Sequence, residues 1–260
     1  MISRSQAKLI RKLKSRKRRE QELAFLVEGV RLVEELLASN WEVELAVTAP
    51  VLSETPRGRQ LIEAVDARGW KRAEVPDSQL KELADTETPQ GVLAVARRPV
   101  RRLTEYEPQA RAALLVFDRV TDPGNLGTLL RAAEALGVAW AVALPGTVDP
   151  WNPKAARASA GSLFRLPLSQ EDWPELVAWL RELEFAILGA DSAGEPLGRI
   201  GDPPDRFALV LGNEPSGLSD AVRRDSDRLI AVPLPGGMDS LNVAIAGALL
   251  LDRLLAGSAT

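Results

Sequence analysis

Residues 112–117, Ala-Ala-Leu-Leu-Val-Phe, are apolar without alternation. A strand with one face in water alternates. A strand covered on both faces does not, and such strands belong to parallel sheets flanked by helices. Comparable runs recur at Ala139–Leu144, Phe185–Gly189, Phe207–Leu211 and Leu229–Val232. Helices are expected between them, at about residues 125–136, 173–184 and 217–224. This rhythm predicts an open parallel α/β sheet from residue 112 onward. Ligands of such sheets bind beyond the carboxyl ends of the strands, so the loops there carry the search for function.

Upstream the elements are shorter. Phe25-Leu26-Val27 reads as a buried strand, and Val30–Leu37 has helical spacing. Val43–Val47 alternates as a half-buried strand would, and Leu61–Ala67 is a helix ended by Gly69. Asp77 opens another helix with Leu80 and Leu83 inward, and Gly91–Ala96 is a buried strand. These predict a small α/β domain over residues 1–98. Residues 99–111, with Pro99, Pro108, Arg101 and Arg102, are expected to be a linker, and residues 112–260 a second domain.

The chain has no cysteine and no histidine. Disulfides and thiolate metal sites are excluded, and so are the commonest general base and the commonest metal ligand. No metal site is expected. Catalysis must rely on Arg, Lys, carboxylates, hydroxyls, amides or backbone dipoles. The N-terminus lacks an apolar signal core, and no apolar run is long enough to span a membrane, so a soluble cytoplasmic protein is expected.

Net charge is −3, unevenly spread. Residues 1–111 carry 21 Lys/Arg against 17 Asp/Glu, and residues 112–260 carry 12 against 19. Nine of the first 20 residues are basic and only Glu20 is acidic. Residues 5–20 predict a helix with Leu9, Ile10 and Leu13 on its apolar stripe. Its other face carries Lys8, Arg11, Lys12, Lys14, Arg16, Lys17, Arg18 and Arg19. Such a run is commonly a solvated face; it also suits phosphate neutralisation on a nucleic acid.

Three loops follow strands of the second domain. In residues 118–137 (DRVTDPGNLGTLLRAAEALG), Pro123-Gly124 turns the chain, Asn125 is a candidate helix cap and Arg131 lies on the second helical turn. In residues 209–219 (LVLGNEPSGLS), Gly212 ends a strand and allows close backbone approach, with Glu214 in the same crevice. No GxGxxG or GxxxxGK[ST] pattern is present, which argues against a dinucleotide-dependent oxidoreductase. Glu214 would repel phosphate and favours a ligand bearing positive charge. In residues 232–255 (VPLPGGMDSLNVAIAGALLLDRLL), a Pro- and Gly-rich loop, Pro233–Gly237, leads through Asp239, Ser240 and Asn242 into an apolar helix expected from Leu241. A capped terminal helix after a turn would account for that stretch alone.

Taken together, NLGTLLRAAEALG, LGNEPSG and VPLPGGMDSLNVA resemble, in order and interval, the three motifs of the SpoU (TrmH-like) RNA 2′-O-ribose methyltransferases of the SPOUT class. The resemblance covers residues 112–260. FLVEGVRLVEELL and TPQGVLAVA resemble the ribosomal-protein-like RNA-binding domain that often precedes it. The resemblance implies a deep C-terminal trefoil knot in the α/β sheet, and S-adenosyl-L-methionine as cofactor. It implies a homodimer, with RNA as substrate, rRNA favoured over tRNA. By motif, Gly212, Val232, Leu234 and Leu241 fall on cofactor-binding positions, with Leu188, Gly189 and Ala190 on the adenosine side. Arg131 matches the family's catalytic arginine; Asn125, Glu214, Ser240 and Asn242 match its other catalytic positions. Asn125 would fix the arginine and substrate, and Glu214 would orient Arg131 or a neighbouring amide. A non-catalytic RNA-binding protein of the same fold is the alternative, although the motif residues are all present.

Overall fold

The computed structural model describes residues 2–234, 236 and 240–256. The expected Gly237 and Asp239 of the third loop lie outside the described residues. The chain divides into two compact units. The first runs to Val100 and also includes Asp149–Arg165. The second holds Arg101–Val148 and the chain from Leu166 onward.

In the first unit, two helices replace the single one expected over residues 5–20: α1 (Arg4–Leu13) and α2 (Arg16–Glu22). Ser3 caps α1, its hydroxyl accepting from the N–H of Gln6 while Gln6 accepts from the N–H of Ser3. α1 buries Ala7, Ile10 and Leu13. There follow β1 (Ala24–Glu28), α3 (Val30–Leu37), β2 (Val43–Thr48), α4 (Pro56–Ala67), β3 (Arg72–Glu74), α5 (Asp77–Leu83) and β4 (Val92–Arg97). The sheet order is β1-β4-β2-β3, with only β2 and β3 parallel.

The break between α1 and α2 changes the reading of the basic run. Arg19 faces inward and is 3% exposed. Its guanidinium donates to Asp149 at 2.6 Å and to the carbonyls of Leu13 and Lys14 at 2.8 and 2.9 Å. Removing one partner of a buried pair costs about 3–5 kcal/mol, whereas an exposed ion pair returns about 0.2–1 kcal/mol. Arg19 is therefore a structural residue, and its expected place on an RNA-binding face is corrected. Lys14 also serves the fold, donating to the carbonyls of Glu82 and Ala84 at the end of α5. Lys8, Arg11, Arg16, Lys17 and Arg18 are exposed, and Lys12 is half-buried.

The second unit begins with β5 (Ala112–Phe117), α6 (Pro123–Ala135) and β6 (Trp140–Ala143). Residues 149–165 then contribute α7 (Pro153–Ala158) and α8 (Ser162–Arg165) to the first unit. The domain expected over residues 112–260 is thus interrupted. Within the first unit Trp151 lies 4.3 Å below the Arg98 guanidinium, Arg157 pairs with Asp85, and Phe164 meets Trp41 edge-on. The chain resumes with β7 (Leu168–Gln170), α9 (Trp173–Glu182), β8 (Ala186–Pro196), β9 (Arg206–Leu211), α10 (Asp220–Asp225), β10 (Arg228–Ala231) and α11 (Val243–Ala256).

These six strands form the expected parallel sheet, in the order β10-β8-β9-β5-β6-β7. Every residue of β5 is buried. Because side chains alternate across a strand, Leu114 and Val116 face one layer and Leu115 and Phe117 the other. The first layer joins them to Val142, Ala208 and Val210, under Leu176 and Leu180 of α9 and Val222 of α10. On the other side α11 packs on α6 and β9. Gly247 permits the approach, since a Cβ there would fall 2.6 Å from Leu129 and Leu211. β8 pairs with β10 through Leu188 and Gly189, loops out over residues 190–194, and pairs again at Glu195 and Pro196.

Candidate functional site

The loops after β5 and β9 meet on one carboxylate, and the loop after β10 joins them through Asn125. Glu214 accepts from the hydroxyl and N–H of Thr121 at 3.0 and 3.2 Å, the N–H of Asp122 at 3.3 Å and the side-chain amide of Asn125 at 3.1 Å. Asn125 in turn accepts from the amide of Asn242 at 3.0 Å. The oxygen of Asn242 caps α11, accepting from the N–H groups of Ala244 and Ile245. Helix α11 starts at Val243 instead of Leu241 because Asn242 ends the loop as its cap. The cap of α6 also differs from expectation. Asp122 accepts from the N–H of Asn125, Pro123 occupies the first helical position, and Asn125 is left free to reach across loops.

Burial pushes the Glu214 carboxyl up, but hydrogen bonds from Asn125 and from backbone N–H groups outweigh it. Its pKa lies below the ordinary glutamate value. At neutral pH it is an anion whose oxygens are engaged by four donors.

A pocket of about 650 Å³ opens at the carboxyl ends of β8, β9 and β10, a size suited to a small-molecule ligand. Glu214, Ser240 and Asn242 line it, together with Gly212, Val232, Leu234, Leu241 and Ala190. Leu188 and Gly189 do not. Leu188 is 1% exposed, and a Cβ on Gly189 would fall within 2.9 Å of Leu218, Leu229 and Ser226, so both positions face the core. Gly212 is also reinterpreted: a Cβ there would lie 2.4 Å from the backbone of Gly217. The glycine makes room for the chain's own tight loop, in which Asn213 and Gly217 exchange backbone hydrogen bonds.

Arg131 is exposed on α6, is absent from the pocket lining, and its side chain makes no hydrogen bond or ion pair among the described residues. Neither Asn125 nor Glu214 contacts Arg131; Glu214 meets its other expected partner, a neighbouring amide, in Asn125. Several residues at the site escaped the sequence reading. Asp118 accepts from the N–H of Ser219, and Asn213 donates to the carbonyl of Arg119 and accepts from Ser216. Asp191 and Arg223 pair on the pocket wall. Asp118 directly follows the apolar run of β5, a position that could have flagged it. Among the described residues no cluster of acidic side chains suits a metal ion, and no helix is long and apolar enough to cross a membrane.

The model of the SpoU rRNA Methylase family matches residues 112–252, the stretch that supplies every one of these loops. The chain belongs to that family. An MRM3-like substrate binding domain matches residues 4–94. The chain is 36% identical to the 23S rRNA (guanosine(2553)-2′-O)-methyltransferase RlmP of Bacillus subtilis, over 94% of this chain and 93% of that protein. It is 31% identical to the 23S rRNA (uridine(2479)-2′-O)-methyltransferase of Streptomyces viridochromogenes, over 92% and 85% respectively. An AdoMet-bound rRNA methyltransferase from Sinorhizobium meliloti superposes with a TM-score of 0.85, 29% identity and coverage of 98% and 96%.

The depressed pKa of Glu214 gives a signed prediction for this SpoU chain. Its ionised form contributes stability above the ordinary glutamate range, about pH 4.3, and that contribution is lost as pH falls through the depressed folded value. Glu214→Gln should melt below the wild type at pH 7, with the gap shrinking on acidification below about pH 4.3. Thermal melts across pH 3–7 check this; a gap that widens in acid would contradict it.

Proposed function

We propose that the chain transfers a methyl group from S-adenosyl-L-methionine to a ribose 2′-OH of RNA, with large-subunit rRNA as substrate. The observation that carries this reading is the Asn242–Asn125–Glu214 chain, which joins the three motif loops at the rim of a ligand-sized pocket. The B. subtilis and S. viridochromogenes relatives, both named for 23S rRNA, favour rRNA over tRNA. They are named for different bases, so the proposal stops at the ribose. An rRNA substrate is consistent with a cytoplasmic location.

The pocket suits the cofactor. Val232, Leu241, Val243 and Leu250 offer apolar walls for an adenine ring, and the carboxylates of Asp191 and Glu214 tolerate a sulfonium. S-adenosylmethionine, when bound, supplies the electrophilic methyl group. The chain's own residues must position and activate the hydroxyl. Glu214 is a weak base, depressed in pKa and already accepting four hydrogen bonds. Its work is to hold the loops. The Arg131 side chain is exposed and without a partner among the described residues. It serves as the group that orients the ribose and stabilises developing alkoxide charge. Ser240, exposed on the pocket rim, completes the substrate side. The 2′-OH required by this chemistry selects RNA over DNA.

The same reading includes the family's trefoil knot, with α11 as the threaded helix, and a homodimer. Ile245 and Leu249, one turn apart on α11, are 54% and 45% exposed and supply an apolar stripe for a second copy. Lys8, Arg11, Arg16, Lys17 and Arg18 supply the RNA-facing charge.

Three outcomes test this. Arg131→Ala should lower methyl transfer to rRNA by about 10²-fold or more while calorimetric binding of S-adenosylmethionine is retained; wild-type turnover would remove Arg131 from the reaction. Replacing Lys8, Lys17 and Arg18 together by Ala should reduce the log–log salt slope of RNA binding by about 2, at roughly 0.7 per phosphate contact. Sedimentation at micromolar concentration should give a dimer that Leu249→Glu dissociates, and a wild-type monomer would count against the dimer.

A further inference from the structure

The pocket carries an ion pair whose carboxylate can do more than tolerate a sulfonium. Asp191 and Arg223 both line the pocket. They form an ion pair in which the Asp191 side chain is 8% exposed and the Arg223 side chain 42% exposed. The looped-out stretch of β8, residues 190–194, puts Asp191 there. Gly194 lets the loop return, since a Cβ on it would fall 2.6–2.7 Å from the backbone of Leu229 and Ile230. One carboxylate oxygen of Asp191 also accepts from the N–H of Ala193 at 2.9 Å, which locks the side chain to its own turn. Arg223 comes from α10, the helix after the Gly212–Gly217 loop, and its guanidinium lies beside Gly217.

A buried carboxylate needs compensation, and Arg223 supplies it. Yet the pair lies on the wall of a ligand pocket, where an apolar residue would close the wall without desolvating a carboxylate. An ionised carboxylate has about four acceptor sites. The N–H of Ala193 and the guanidinium of Arg223 leave acceptor capacity on Asp191. Vicinal hydroxyls on a sugar are donors spaced for one carboxylate, and acidic residues at strand ends take up ribose hydroxyls in dinucleotide sites by the same chemistry.

We propose that Asp191, held by Arg223, accepts hydrogen bonds from the vicinal ribose hydroxyls of the adenosyl group in this pocket, and is a cofactor-binding residue of this chain. The inference rests on the S-adenosylmethionine reading of the same pocket. Arg223 acts through Asp191 and is a positioning residue.

The test is calorimetric binding to the full-length protein of three probes: S-adenosylhomocysteine, 5′-methylthioadenosine, and the 2′,3′-dideoxy analogue of methylthioadenosine. Hydrogen bonds to a charged group are worth about tenfold to a hundredfold in affinity. Asp191→Asn should weaken the first two probes by about that factor and equally, and should leave the weak binding of the dideoxy analogue within about threefold of wild type. Arg223→Gln should weaken the same two probes by a smaller factor, and Arg223→Lys should restore part of the loss. Circular dichroism melts identify any variant that fails to fold, and for such a variant the wild-type ratio of methylthioadenosine to its dideoxy analogue stands as the measurement, expected at tenfold or more. A loss on Asp191→Asn confined to S-adenosylhomocysteine would overturn the proposal, since it would assign the pair to the amino-acid tail. Equal losses for the dideoxy analogue would overturn it too. If the wild-type protein binds none of the adenosyl probes, the cofactor reading itself fails; if it binds them and Asp191→Asn binds them equally well, only the ribose assignment fails.

Discussion

The cap of α11 sets the direction of the whole polar chain at the site. The Asn242 oxygen is committed to the N–H groups of Ala244 and Ile245, so only its NH₂ can turn toward Asn125. Asn125 must then present its oxygen to Asn242 and its NH₂ to Glu214. A carboxylate is the one common side chain that accepts without needing to donate, so an ionised Glu214 closes the series with no frustrated group. Each amide polarises the next, and the charge at the end strengthens both bonds. Contacts spanning 89 and 117 residues of the chain are thereby fixed by the orientation of one helix cap.

The same logic explains why a chain without histidine can be organised for chemistry. A sheet buried on both faces cannot hold unpaired polar groups within its strands. It can hold them only where the strands end. Asp118 after β5, Asn213 and Glu214 after β9, and Asp191 in the opening of β8 all occupy such places. Asp118 and Asp191 are nearly buried and compensated by a backbone N–H or by Arg223. Of these, Asp191 and Glu214 bring carboxylates to the pocket wall, beside the polar Asn213, Ser216, Ser240 and Asn242 and the cation Arg223.

Much of this was legible in the residues, and the gaps have physical causes. The unalternating runs located β5 and β9 because burial on both faces leaves a local signature. β7, three residues long, leaves too short a pattern to register. The motif loops pointed to Asn125, Glu214 and Asn242, but not to their bonding. Asp122 with Pro123 is a better cap signal than Asn125, and shifting the cap by three residues turns Asn125 from a terminator into a cross-link. Gly212 was singled out as a point of close approach; the backbone that approaches it within the chain is that of Gly217, and Gly212 also lines the pocket. Residues 149–165 joined the first unit through contacts such as Arg19 to Asp149, 130 positions apart, which no local pattern encodes.

Arg19 also shows how a basic run should be weighed. Nine cations in twenty residues read as one electrostatic face. Helical geometry forbids that, because a helix with an apolar stripe must point some of its remaining positions sideways, and a break in the helix redirects the rest. The break at Lys14 and Ser15 turns Arg19 inward, where Asp149 neutralises it, and brings Lys14 over the end of α5. The six exposed basic residues that remain, Arg4, Lys8, Arg11, Arg16, Lys17 and Arg18, still outnumber the acidic partners Glu82 and Glu20. Charge available to a phosphate backbone is therefore what survives the fold's own demand for cations, and in this chain that remainder is concentrated at Lys8, Lys17 and Arg18.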